Sequence, residues 1–257
     1  MLKDVQNSKD KRGIAIDKVG IKNLSYPIAV LDKKKSLQHT IANINMYVDL
    51  PHYFKGTHMS RFLEVLNEHR GEISIVNFPD ILRKIKKVLN AGSASVEIEF
   101  PYFIEKAAPV SGKKSLMEYI CYYNGTIKDA GEESIITIGV KVPINTLCPC
   151  SKEISKYGAH NQRGIVSVSL EFSKLIWFED IIADVESCAS SPIYSLLKRE
   201  DERFLTEHAY ENPMFVEDIA RCVAGILNKN KNIKRFKVEA ENFESIHNHN
   251  AYAMIER

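Results

Sequence analysis

Between Gln38 and Leu50 the chain reads QHTIANINMYVDL, and its apolar residues fall on every second position. Ala42, Ile44, Met46, Val48 and Leu50 make one face; Asn43, Asn45 and Asp49 make most of the other, interrupted by Ile41 and Tyr47. Side chains alternate sides along a strand, so this pattern predicts a strand with one face buried and one polar. Hairpin signals further along the chain argue against a parallel doubly wound sheet and for an antiparallel α+β architecture.

The other runs agree. Residues 1–20 read as an irregular arm and 21–31 as a strand. Thr57 is expected to cap a helix carrying Met59, Phe62, Leu63 and Leu66, stopped by Gly71. Asn77 and Pro79 open a second helix with Ile81, Leu82, Ile85, Val88 and Leu89 as its stripe and Gly92 as its stop. Strands are expected over 94–106, 115–127 and 134–145, with turn signals at Asn124-Gly125 and Ala130-Gly131. Then come a strand at 163–172, helical material over 177–208, and a helix over 213–228 with Asn212 as cap and Pro213 in its first turn. The stripe of that last helix is Phe215, Ile219, Cys222, Val223 and Ile226. Two strands, 233–243 and 246–255, close the chain. The order β-β-α-α-β-β thus occurs twice, which predicts two related α+β modules, 1–130 and 131–257, each with an antiparallel sheet.

Composition narrows the function. A net charge of +2 over 257 residues gives no basic excess of the kind nucleic-acid binders carry. The runs Lys33–Lys35 and Arg83, Lys84, Lys86, Lys87 read as solvated surface. No apolar run reaches the roughly 18–20 residues of a membrane span, and MLKDVQNSKDKRG lacks the apolar stretch of a signal peptide. Five cysteines without an export signal point to a reducing cytoplasm, where clustered thiols bind metal or do chemistry more often than they form structural disulfides. Neither common phosphate loop, GxGxxG or GxxxxGK[ST], is present.

The chemistry concentrates in LCPCSKEISKYGAHNQRG, residues 147–164. Pro149 favours an extended Cys148, and in an extended segment the thiols of Cys148 and Cys150 share a side. The spacing is not the C-x-x-C of a redox pair, and no second ligand pair lies close enough for a compact zinc finger. Cys148 with His160 suits a divalent ion; two structural cysteines and a surface histidine fit the same residues. FESIHNHNA (243–251), read as a strand, puts His247 and His249 on one face about 7 Å apart, as ligands or acid–base groups or merely as a solvated strand end. Glu217 is either a surface partner of Arg221 four residues on or a carboxylate accepting two N–H bonds from a guanine-like edge. Glu200, Asp201 and Glu202 form an acidic cluster, a solvated helix face that could also supply a hard ligand.

Three stretches, LCPCSKEISKYGAHNQRG, KGTHMSRF (55–62) and ESIHNHNAYA (244–253), resemble GTP cyclohydrolase I of the type IB class, and the likeness runs the length of the chain. The resemblance implies the tunnelling fold, two modules per chain, and a cytoplasmic homotetramer with active sites at subunit interfaces. It implies conversion of GTP to 7,8-dihydroneopterin triphosphate and formate, the first step toward tetrahydrofolate. It also implies a divalent metal, Mn or Zn, held by Cys148 and His160, with Glu202 chosen as third ligand. Glu217 would anchor the purine, and Cys148, His247 and His249 would be the catalytic residues. Lys55, His58, Arg61, Lys152 and Arg163 are candidates for the triphosphate. Cys150 is expected not to be an essential ligand. Two alternatives remain: a nitrile reductase of the same fold using Cys148 or Cys150 as nucleophile, and a nucleotide-binding or metal-stapled protein without turnover.

Overall fold

The computed structural model describes residues 6, 8–69, 73–128 and 133–257. In chain order the elements are β1 (Ile16–Asp32), β2 (Ser36–Leu50), α1 (Ser60–Glu68), α2 (Phe78–Val88), β3 (Ala94–Ala107) and β4 (Lys114–Ile127). They continue with β5 (Ser134–Leu147), α3 (Pro149–Ile154), β6 (Asn161–Phe172), α4 (Phe178–Ser187), β7 (Ser191–Pro192), α5 (Arg199–Glu211), α6 (Val216–Leu227), β8 (Ile233–Asn242) and β9 (Ala251–Glu256). The twofold β-β-α-α-β-β order is present, and the second half carries additions. The expected helical stretch 177–208 is α4 and α5 separated by β7, and α3 interrupts the connection from β5 to β6.

By compactness the chain forms two units: Met1–Pro101 with Tyr122–Ile138, and Tyr102–Cys121 with Gly139–Arg257. The chain crosses between them within β3, β4 and β5. The boundary expected near 130–131, with its Ala130-Gly131 turn, and the Gly71 stop lie outside the described residues.

In the first unit β2 pairs antiparallel with both β1 and β3. Ala42, Ile44, Met46, Val48 and Leu50 are all buried, as the alternation requires, and Ile41 on the opposite face is 65% exposed. The arm is shorter than expected, because β1 starts at Ile16 and continues through two register shifts. At the second, Asn23 takes a positive φ of 56° and its N–H donates to Asn45 Oδ1 at 2.8 Å. α1 begins at Ser60 with Met59, not Thr57, as cap; it buries Phe62, Val65 and Leu66 and leaves Leu63 and Met59 exposed. α2 keeps its expected start. Asn77 is its N-cap as expected, though its side chain accepts from Ser74 N–H (2.9 Å) and not from the helix, and Asn90 at φ 51° ends the helix segment where Gly92 was expected to.

Asn124-Gly125 is not a turn: it lies inside β4. A Cβ on Gly125 would fall 2.6 Å from the Phe78 ring and 2.7 Å from Leu82 Cδ1. Glycine is there to let α2 lie close on the sheet. Tyr123 beside it packs on Phe100 (centroids 5.1 Å) and Phe78 (6.1 Å).

In the second unit β8 pairs antiparallel with β6 and with β9, with Val166 opposite Ala240, Val168 opposite Val238, and Leu170 opposite Phe236. All six are buried. Ile181, Ile182 and Val185 of α4 and Ile219, Val223 and Leu227 of α6 supply the helical side of the core. Burying each such side chain contributes roughly 1.5–3 kcal/mol. α6 starts at Val216, so Asn212 and Pro213 do not open it. Asn212 ends α5 instead, donating through Nδ2 to His208 O at 2.8 Å, and Phe215, an expected stripe residue, is the exposed cap of α6. Cys188 and Cys222 form a disulfide between the end of α4 and α6 (Cα–Cα 5.7 Å), where the sequence suggested only thiol chemistry. They are 34 residues apart, and it is the packing of α4 and α6 that brings them together.

Candidate active site

The motif at 147–164 forms a closed knuckle between β5 and β6. Leu147, the last residue of β5, is fixed on both sides: its N–H donates to Ser190 Oγ (3.0 Å) and its carbonyl accepts from Met214 N–H (3.1 Å). Cys148 follows in an extended conformation (φ −70°, ψ 117°), as Pro149 requires, and is the N-cap of α3, its Sγ accepting from Ser151 N–H at 3.4 Å. Cys150 lies inside α3 and is exposed, so the alternation expected for an extended segment does not apply to the pair.

His160 faces Cys148 across the knuckle. Cys148 N–H donates to His160 O at 3.1 Å. Ser151 Oγ accepts from His160 N–H (3.2 Å) and donates to Cys148 O (3.2 Å). Gly158, at φ 74°, makes the turn between them. The imidazole Nδ1 lies 2.9 Å from Gln162 Oε1 and 3.8 Å from Glu244 Oε2. Gln162, Thr146, Ser151 and Glu244 were not singled out from sequence. The first three lie within or beside the motif, and Glu244 lies beside the histidine pair in ESIHNHNAYA.

The acidic cluster resolves into different roles. Asp201 is fully buried and accepts from Val110 N–H (2.9 Å), Ser111 N–H (2.8 Å), Ser111 Oγ (2.7 Å) and Lys198 N–H (2.8 Å). Those donors hold its carboxyl well below the usual range even though burial works against them. Asp201 is thereby committed to joining the β3–β4 turn to the start of α5. Glu200 and Glu202 are exposed. Glu202 lines a cavity of about 650 Å³ together with Leu147, Ala159 and Asn161, the chain neighbours of Cys148 and His160. Another wall residue, Tyr194, lies under Lys106 (Nζ 4.3 Å from the ring centroid), and Lys106 pairs with Glu186 at 2.7 Å.

The remaining candidates are placed as follows. Glu217 is exposed in the first turn of α6; Arg221 turns to Asp218 (3.5 Å), not to Glu217. His247 and His249 are exposed in the irregular loop 243–250 joining β8 to β9, not on a strand, with stacked rings 5.0 Å apart. Phe243 N–H donates to Arg163 O (2.9 Å), and Asn250 Nδ2 to Glu241 Oε1 (2.7 Å), fixing the loop ends. Arg163 is exposed, and Lys152 is spent on Tyr210, donating to its carbonyl and lying 4.4 Å from its ring centroid. Lys55, His58 and Arg61 belong to the first unit. Lys55 is exposed, and Arg61 donates to Val88 O at 3.1 Å.

A thiol, an imidazole and a carboxylate are a donor set suited to zinc or manganese. Cys148 and His160 are brought together by the knuckle, with the Nδ1 side of the ring occupied by protein. Glu202 is placed on the adjoining cavity. Among the described residues no three His, Cys, Asp or Glu side chains form a group that could hold a metal ion, so Cys148, His160 and Glu202 do not converge in the single chain.

A family model described as type I GTP cyclohydrolase folE2 matches residues 2–253. Proteins named GTP cyclohydrolase FolE2 are similar over the whole chain. That of Syntrophus aciditrophicus (strain SB) is 61% identical, covering 99% of each chain. That of Geotalea uraniireducens (strain Rf4) is 59% identical, over 100% of this chain and 93% of its own. Among solved structures, uricase from Arthrobacter globiformis has a TM-score of 0.52 at 9% identity, covering 94% of this chain and 92% of its own. Urate oxidase from Bacillus sp. TB-90 has a TM-score of 0.55 at 9% identity, covering 94% and 99%. These two show the fold alone, the tunnelling fold with tandem ββααββ modules. The match to the family model and the full-length relatives together establish that this chain belongs to the FolE2 family of type I GTP cyclohydrolases.

Proposed function

We infer that this chain converts GTP and water to 7,8-dihydroneopterin triphosphate and formate, the entry to tetrahydrofolate synthesis. Full-length membership in the family carries the reading. The knuckle that ties the backbones of Cys148 and His160 together, Cys148 N–H donating to His160 O, supports its chemistry.

In this reading Cys148, His160 and Glu202 hold a divalent ion, manganese or zinc. The bound ion supplies Lewis acidity towards water at neutral pH. The protein's own residues do the rest. Glu217, which no neighbouring arginine claims, accepts the N1–H and exocyclic N–H of the guanine and keeps C8 in register. His247 and His249 exchange protons with the water that adds at C8 and with the ring nitrogen that departs as the imidazole opens. An imidazole suits this, since one ring nitrogen can accept a proton while the other donates. A second hydrolysis releases formate, and the ribose carbons close the pterin ring. Lys55, His58, Arg61, Lys152 and Arg163 are the cations proposed for the triphosphate; for Lys152 this requires leaving Tyr210.

Glu202, Glu217, His247 and His249 are exposed in the single chain, whereas a purine site excludes water. That supports an assembly, proposed as a homotetramer, with active sites completed at subunit interfaces. Cytoplasm is the proposed location: the half-buried Cys148 must stay reduced to act as a ligand. The direct test is stoichiometry. Purified protein supplied with GTP releases formate and pterin triphosphate one for one. Bound GTP with no formate would leave a nucleotide-binding protein instead.

A further inference from the structure

We infer that Gln162 is a positioning residue for His160: held by Thr146, it keeps the proton on Nδ1 and leaves Nε2 as the nitrogen offered to a metal. The inference rests on the proposed metal site and assigns a role to a residue outside the ligand set.

Both backbone polar groups of His160 are fixed, N–H on Ser151 Oγ and carbonyl on Cys148 N–H. Only the ring's own torsions remain to be set. Gln162 sets them with its Oε1, 2.9 Å from Nδ1. Gln162 is 7% exposed and Thr146 fully buried, so neither can exchange its partner for water at little cost. The amide is anchored at its other end, Nε2 donating to Thr146 Oγ1 at 2.8 Å, and the Thr146 hydroxyl lies 3.4 Å from Gln162 O, to which its proton can go. Hydroxyl, amide and imidazole thus form a chain with one consistent direction.

The reverse direction would place a lone pair on Nδ1, facing Gln162 Nε2. Glu244 argues against it, because its carboxylate lies 3.8 Å from the same nitrogen and favours a proton there. In free imidazole either nitrogen can carry the proton. Outer partners that fix the tautomer of a ligating histidine are worth 10–100-fold in metal affinity. A glutamine does so without adding charge beside a thiolate and a carboxylate.

The test is Co²⁺ binding to the chelator-stripped full chain, followed by thiolate-to-cobalt absorption and by competition with a chromophoric chelator. Gln162→Met keeps the length and removes the acceptor. It is expected to weaken Co²⁺ about 10–100-fold while leaving the thermal unfolding midpoint of the metal-free protein within a few degrees. Thr146→Val, which releases the amide, is expected to weaken Co²⁺ in the same direction, and Thr146→Ser to restore native affinity. Affinity within twofold of native in Gln162→Met overturns the inference while leaving the metal site standing. Should Gln162→Met fail to fold, the Thr146 pair decides: weak Val with native Ser upholds the inference, and equal affinities overturn it. A native chain that shows no thiolate-to-cobalt band overturns both this inference and the metal reading beneath it.

Discussion

Replacing Cys148 with alanine removes the half-buried thiol that caps α3, a proposed ligand, whereas Cys150 is exposed on the same short helix. Cys148→Ala is therefore expected to lose bound metal and Cys150→Ala to keep it, read by metal analysis of the purified proteins; metal lost from Cys150→Ala alone would reverse the assignment. In the proposed function Glu217→Ala removes an acceptor for two guanine N–H groups. Charged hydrogen bonds contribute about 1.5–3 kcal/mol each, so kcat/KM for GTP is expected to fall by at least ~100-fold. An unchanged kcat/KM would return Glu217 to the role of a surface carboxylate. At this scale the sequence singled out the groups proposed to react but not their neighbours. Cys148, His160 and Glu217 stand out by residue type and spacing. Gln162, Thr146 and Glu244 matter through contacts across β5, β6 and the β8–β9 loop, and no spacing rule reveals those.

α5 depends on one buried carboxylate at its start. Four donors hold Asp201 ionised, so its folded value lies below the ordinary one near 4. The sign follows: its contribution is fully present above about pH 4 and is lost as pH falls through the folded value. Asp201→Asn is expected to unfold several degrees lower than the native chain at pH 7, with the gap closing on acidification below pH 4. A gap independent of pH would contradict this. In the first unit Gly125→Ala pushes a methyl into Phe78 and Leu82 and is expected to cost about 1–3 kcal/mol, measured by denaturant unfolding. Periodicity located almost every element here, because β2 and α2 each bury one face. It failed at caps and turns. Asn124-Gly125 has the composition of a turn, and only the packing of α2 shows that Gly125 is a contact. Asn212 has the composition of an N-cap and in fact closes the preceding helix.

For the whole molecule, the thiols can be counted. Cys188–Cys222 is a disulfide; Cys121 is buried, and burial pushes its thiol well up; Cys148 and Cys150 are accessible. Chelator-stripped protein purified without reductant is expected to show two reactive thiols when native and three in denaturant. Five in denaturant would mean that the α4–α6 link is absent. The tandem order of elements was legible because each module repeats the same alternation of periods, and the resemblance in 147–164 identified the chemistry. Assembly was not legible from periodicity, since exposed groups such as His247 and His249 look the same whether water or another copy covers them. The proposed function makes this chain a metal-dependent cyclohydrolase. The most direct measurement strips the protein with chelator, adds back Mn²⁺ or Zn²⁺ separately, supplies GTP, and follows formate and the fluorescent oxidised pterin. Loss of both products on stripping and recovery of both with one of the metals is the predicted result. Turnover unaffected by stripping, or none with either metal in a folded protein, would contradict it.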